Sequence, residues 1–176
     1  MGATMGEVIV PEFRVTYRGT VYPWQCDHVG HMNVMWYTGK FDEASWQLFS
    51  KLGLTRARLR TEGAAMVAVE QRLEYKRELH AGDVVTIRSA VMEVKNKSIR
   101  MIHEMSNDDT GEVAAISVIF AVHLDATARR AQFLPSDVRD RAILMAAERI
   151  DSLQTEAPSE SGVESQVANV RLVMRK

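Results

Sequence analysis

At 176 residues, with 46% hydrophobic side chains, the chain has the size and apolar content of one domain around one core. Its 22 Lys and Arg against 23 Asp and Glu leave a net charge of -1, so there is no overall basic field for nucleic acid or an anionic membrane, and an anionic ligand needs a local patch. A single cysteine, Cys26, excludes an internal disulfide and a multi-cysteine zinc site. With no signal-peptide pattern after Met1 and no apolar run long enough to span a bilayer, the cytoplasm is the expected compartment.

Residues 1–11 read as a flexible lead-in. Phe13, Val15 and Tyr17 then alternate with Arg14, Thr16 and Arg18, the period of a half-buried strand over about 12–22. A loop follows, Pro23-Trp24-Gln25-Cys26-Asp27-His28-Val29-Gly30-His31-Met32-Asn33. Beyond it Val34, Tyr37, Phe41, Ala44, Leu48 and Leu52 recur every three or four residues, which predicts a long amphipathic helix. Trp46 and Phe49 widen its apolar stripe, Asn33 is placed to cap it, and Gly53 to end it.

From residue 64 the pattern changes to strands. Val67, Val69, Leu73, Tyr75 and Leu79 share one parity, and Ala81-Gly82-Asp83 interrupts the run. Val85, Ile87 and Val91 mark the next strand, Lys95-Asn96-Lys97 a turn, and Ile99, Met101 and Met105 another strand. Asn107-Asp108-Asp109-Thr110-Gly111 is a strong turn signal before a run over 113–124, apolar on both parities as expected of a central strand. The order of strand, long helix and four strands predicts an α+β fold, an antiparallel sheet with one helix on its face. A short second helix is expected over about 136–149, with Ser136 or Asp137 as N-cap. The domain is thus bounded at 12–149. Residues 150–176 read as a tail, Ser/Glu/Pro-rich linker or partly disordered, with a possible strand at 167–174.

The residues Asp27-His28-Val29-Gly30-His31-Met32-Asn33, then Tyr37, then Phe41-Asp42-Glu43-Ala44, resemble the active-site segment of the 4-hydroxybenzoyl-CoA thioesterase-like family. Support comes from Leu79-His80-Ala81-Gly82-Asp83, from Lys97-Ser98 opening a strand, and from His123-Leu124-Asp125 closing one. The resemblance implies a hotdog fold, a curved antiparallel sheet wrapped around one long central helix, with active sites at the interface of a homodimer or dimer of dimers. It implies hydrolysis of an acyl-CoA thioester to free acid and CoA. Asp27 then falls on the catalytic carboxylate, as nucleophile or general base, and the backbone N–H of Val34 on the oxyanion donor. It also places CoA contacts at Lys95, Lys97 and Ser98.

The chemistry of the residues supports the same segment. Thioester hydrolysis needs an oxygen nucleophile or base and donors where the carbonyl oxygen gains charge. A helix start supplies unpaired N–H groups, and Asp27 lies just before one. Gly30 allows close approach or positive φ, and His31 and Asn33 are candidates for orienting the loop. Tyr37 is a substrate-contact candidate that also lies on the packing stripe, while Trp24, Met35 and Met66 are candidates for an acyl pocket. Arg72 and Lys76 are weaker CoA candidates.

Each assignment has a plainer counterpart. Asp27 can be a cap or turn residue, Asn33 a simple N-cap, and Lys95-Asn96-Lys97 a soluble hairpin tip. Glu43 shares a polar stripe with Lys40 and Gln47, which favours a solvated or interface ion pair over catalysis. His28 and His31 would meet at one metal only if the loop were helical, and no third ligand follows. No metal and no cofactor are expected beyond the CoA of the substrate. The alternative function is a catalytically silent acyl-CoA-binding protein, a sensor or interaction module.

Overall fold

The computed structural model describes residues 12–147. The lead-in through residue 11, the tail and its possible strand lie outside them. The elements run β1 (Arg14–Thr20), α1 (Val34–Lys51), α2 (Arg56–Thr61), β2 (Ala64–Tyr75), β3 (Val84–Val94), β4 (Ser98–Asn107), β5 (Val113–Asp125), β6 (Arg130–Ala131) and α3 (Ser136–Ala147). The sheet order is β1-β3-β4-β5-β2, with every pairing antiparallel and β6 added to β5. Since β1 and β2 are consecutive strands at opposite edges, the chain must cross the sheet between them, and α1 is in that connection. The result is the hotdog arrangement, a curled sheet around one long helix.

Asn33 caps α1 by accepting from the Met35 N–H at 3.1 Å, and Gly53, with φ of 88°, follows its last turn. The buried stripe is Tyr37, Phe41, Ala44, Leu48, Phe49 and Leu52. Its first half packs with Val21, Met32, Leu79, Ile87 and Met105, and its second half with Leu54, Met66, Met101, Ile119 and the α3 residues Val138 and Ala142. Burial of each such large side chain stabilises the fold by about 1.5–3 kcal/mol. The stripe differs from expectation at Val34 and Trp46, which are exposed, and at Lys40, which is buried rather than solvated. Lys40 Nζ donates to Tyr17 Oη at 3.0 Å and to the Thr20 carbonyl at 3.4 Å, tying α1 to β1.

Two strands depart from the alternation read in the sequence. In β1 the pairing slips between Val15 and Tyr17, so Thr16 is buried and Val15 exposed; the Thr16 hydroxyl meets Ser89 Oγ at 2.5 Å. In β2 a bulge between Ala68 and Glu70 changes the parity, leaving Val69 and Tyr75 exposed while Ala64 and Met66 face the core. Leu79 is buried but lies beyond the end of β2. Strand β5 is interior to the sheet, as expected of a central strand, with Ala115, Ser117, Ile119, Ala121 and His123 buried on one face and, apart from the buried Ala114, half-buried residues on the other. Neither Ser136 nor Asp137 stands outside α3 as a cap; both lie in its first turn, where Asp137 accepts from Arg58 at 2.7 and 2.9 Å and from Arg141. No helix among the described residues is long and apolar enough to cross a membrane.

Candidate active site

The loop between β1 and α1 is held by backbone hydrogen bonds on both flanks. Val21 exchanges bonds with the Asp83 turn, Val21 N–H to Asp83 carbonyl and Gly82 N–H to Val21 carbonyl, each 2.8 Å. Met32 N–H donates to the Leu79 carbonyl at 2.6 Å and Asn33 N–H to the Gln25 carbonyl at 2.8 Å. Within this frame Asp27 to His31 forms a tight reversal: Gly30 N–H donates to the Asp27 carbonyl at 3.0 Å, and Asp27 N–H to the His31 carbonyl at 3.1 Å. Gly30 has φ of 97°, and an added Cβ there would meet nothing within 4 Å. Of the two reasons for a glycine, positive φ is therefore the operative one.

The Asp27 carboxylate is oriented by two donors, the Val29 N–H on Oδ1 at 3.0 Å and the Asn33 amide on Oδ2 at 3.2 Å. The Val29 N–H is the main reason its pKa lies below the ordinary aspartate value; partial burial opposes it, and Asn33, His31 and His28 add to it. At neutral pH the group is a charged carboxylate. Asn33 does double service, since its carbonyl oxygen caps α1 while its amide holds Asp27. One residue thus couples the carboxylate to the start of the helix. Among the described residues the N–H of Val34 has no acceptor, as the first turn of a helix dictates.

The other candidates are placed as follows. His31 orients the reversal through its carbonyl, and its imidazole lies 3.8 Å from Glu78 Oε1. Trp24 is exposed and stacks on Tyr22 with ring centroids 4.4 Å apart. Tyr37 is packed in the core against Tyr75, its hydroxyl donating to the Arg77 carbonyl at 3.4 Å, and burial pushes its pKa up to about 12. The packing role is the one this geometry supplies. Met35 is exposed on the first turn of α1, and Met66 is buried beside the second half of that helix. Among the described residues no cluster of three or more His, Cys, Asp or Glu could hold a metal, and the His28–His31 segment is not helical.

Lys95, Lys97 and Ser98 are not brought to Asp27 within one chain. Ser98 pairs with Val122, near the Ala64 end of β2, whereas the Asp27 loop bonds to Leu79, just past the Tyr75 end. Twelve residues of strand separate those ends, roughly 35 Å. Lys97 Nζ donates to the Ala131 carbonyl at 3.1 Å and lies over the Phe133 ring, and Lys95 lies 3.3 Å from Glu93. Arg72 and Lys76 both lie within ion-pair distance of Glu74.

One feature escaped the sequence reading. A recess of about 200 Å³ runs along the exposed flank of α1, where Thr38, Asp42 and Trp46 face β2 and the floor of the sheet. Trp46 was read as widening the apolar stripe of α1, whereas it stands with Thr38 and Asp42, at a spacing of four, on the flank that faces β2.

Comparison with known proteins bears on the whole of this arrangement. The model of the thioesterase-like superfamily matches residues 21–142. An L-carnitine dehydrogenase/betainyl-CoA thioesterase of Agrobacterium fabrum is 27% identical over 146 residues, 83% of this chain, and the chain spans only 28% of that protein. A betainyl-CoA thioesterase of Pseudomonas aeruginosa is 23% identical over 131 residues, 74% of this chain and 82% of the relative. In fold, a Staphylococcus aureus protein solved in complex with CoA superposes with a TM-score of 0.72 at 18% identity, over 89% of this chain and 96% of that one. The match from residue 21 to residue 142 takes in the Asp27 loop, α1 and the whole sheet after β1, and the chain belongs to the thioesterase-like superfamily with the hotdog fold.

Proposed function

We propose that this protein hydrolyses an acyl-CoA thioester to the free acid and CoA, with Asp27 as the carboxylate that drives the reaction and the Val34 N–H as oxyanion donor. The observation that carries the reading is the coupling through Asn33, which ties an ionised Asp27 to a helix start whose first N–H is unpaired. Asp27 either attacks the thioester carbonyl itself, expelling the CoA thiolate and giving a mixed anhydride that water opens to the free acid and the restored carboxylate, or takes the proton of a water that attacks the carbonyl and expels the CoA thiolate. In both routes the carbonyl oxygen gains negative charge, which an unpaired helix N–H stabilises. The betainyl-CoA thioesterases among the relatives act on an acyl group that ends in a quaternary ammonium, and that class is the first to test here.

The proposal includes a second subunit. β2 is a twelve-residue edge strand, and Val69 and Tyr75 on it are exposed, as are Met35 and Trp46 on the neighbouring helix. Two-fold antiparallel pairing through β2 reverses the partner strand. The end that carries Lys95, Lys97 and Ser98 in one subunit then comes beside the Asp27 end of the other, where the lysines can meet CoA phosphates. Thiol release from a panel of acyl-CoAs, acetyl through long-chain and aryl, tests the activity. Steady turnover of at least one is expected, whereas tight acyl-CoA binding with no thiol release would favour the silent binding module.

A further inference from the structure

Gly39 stands in the interior of α1, where a glycine destabilises a helix relative to alanine. Nothing within its own chain calls for it: its φ is not positive, and an added Cβ would meet no atom within 4 Å. The position lies on an exposed stripe of the helix with Met35, Thr38, Asp42 and Trp46, at spacings of three and four. Met35 and Trp46 are large apolar groups left in solvent, and the Asp42 carboxylate has no ion pair or hydrogen-bond partner among the described residues. Gly39, Asp42 and Trp46 all face β2, the open edge of the sheet. A glycine at such a place fits the close approach of another backbone.

We propose that α1 of a second copy crosses this flank antiparallel at Gly39, and that Trp46 of the partner subunit thereby walls the acyl group held at Val34; the proposal rests on the thioesterase reading and the two-fold β2 pairing above. The stripe is self-complementary about that crossing. With the two-fold at the level of residues 39–41, the Thr38 hydroxyl faces and donates to Asp42 of the partner subunit, while Met35 meets the partner's Trp46, a thioether against an indole. Each contact occurs twice. No large side chain of the stripe stands at the crossing, which lets the axes approach toward the ~8 Å lower end of helix packing.

The β2 pairing sets the same level independently. For the partner's Ala64 to lie beside Leu79, where the Asp27 loop is bonded, the two strands must cross near Arg72. Tyr37 meets the Tyr75 ring and Phe49 shares a core cluster with Met66, so α1 runs antiparallel to β2. Between those contacts Arg72 falls about one turn of α1 beyond Tyr37, which is the level of Gly39. Within one chain Trp46 is about 18 Å from Val34 along the helix. Across this two-fold the partner's Trp46 lies opposite Val34 instead, beside the helix start to which Asn33 ties Asp27.

The test is complementation between subunits. Trp46→Ala alone should lower kcat/KM for the best acyl-CoA by ~10-fold or more, the scale on which apolar contacts in a pocket count. Asp27→Asn and Trp46→Ala chains are then co-expressed with two different tags and purified through both. In that mixed dimer one site carries both substitutions and the other carries neither, so thiol release should return to about half the wild-type rate. If Trp46 acted within its own chain, neither site would be intact, and the rate would stay at or below half that of Trp46→Ala. That result, or a Trp46→Ala variant as active as wild type, would overturn the proposal and leave the thioesterase reading intact. A second arm needs no activity. Gly39→Leu meets nothing in its own chain, so circular dichroism should show a folded protein, while the dimer dissociation constant measured by dilution should rise ~10-fold or more. An unchanged constant would overturn the crossing at Gly39. Release of no thiol from any acyl-CoA by the wild type would instead overturn the thioesterase reading, and with it the role given to Trp46.

Discussion

Asn33 and His103 exert their effects through hydrogen bonds whose loss has separable signatures. Asn33→Ala removes the cap on Met35 N–H and the amide that holds Asp27. The lost cap should cost about 1 kcal/mol in urea or thermal unfolding. The lost amide removes one of the influences that lower the Asp27 pKa, so the acid limb of the kcat/KM profile should move to higher pH; an unmoved limb would mean that the contact does not tune the carboxylate. His103 is fully buried between α1 and the sheet, its ring bonded to Ser45 Oγ at 3.1 Å and Ser89 Oγ at 2.6 Å. Burial lowers its pKa from 6.5 to about 3. Between those values the unfolded chain binds a proton that the folded chain refuses, so stability should fall as pH drops below about 6.5, by up to ~1.4 kcal/mol per unit. Urea midpoints at pH 7 and pH 5 measure this, and His103→Asn should flatten the difference; equal slopes in wild type and variant would remove His103 as the cause.

At the scale of elements, α1 was legible because three local signals agree: the stripe from Tyr37 to Leu52, the cap at Asn33 and the stop at Gly53. What lay outside local periodicity was misread. The bulge at Val69 and the register slip beside Thr16 each insert one residue against the partner strand, and nothing in the alternation of either segment announces it. Lys40 was read with Glu43 and Gln47 as a polar stripe, solvated or in an interface ion pair, yet it is buried and bonds to Tyr17 and Thr20, remote in sequence. Helix α2 is only six residues long and carries too few apolar positions to form a pattern. The Asp27 segment was legible as a motif, whereas the α1 recess depends on which helix flank faces β2 and became visible only in three dimensions. Gly53 gives this level a test: φ is 88° and an added Cβ would lie 2.6 Å from the Arg141 guanidinium. Gly53→Ala should therefore destabilise by about 1–2 kcal/mol, read as a lower Tm, and an unchanged Tm would mean that the end of α1 relaxes without cost.

At the scale of the molecule, one chain of 19.8 kDa holds the proposed carboxylate at one end of β2 and the proposed CoA-binding lysines at the other. Light scattering at micromolar concentration should give at least twice the chain mass; a monomer would remove the assembly on which the Lys97 assignment depends. The thioesterase claim itself turns on Asp27. An amide at that position keeps the shape and can still accept the Val29 N–H, but it has no charge and is a poor nucleophile or base. The deciding measurement is thiol release from the best acyl-CoA by wild type and Asp27→Asn at matched oligomer size. The turnover number should fall by at least ~10²-fold while the variant still binds the intact acyl-CoA. Turnover near the wild-type rate would contradict the account and leave Asp27 as a turn residue.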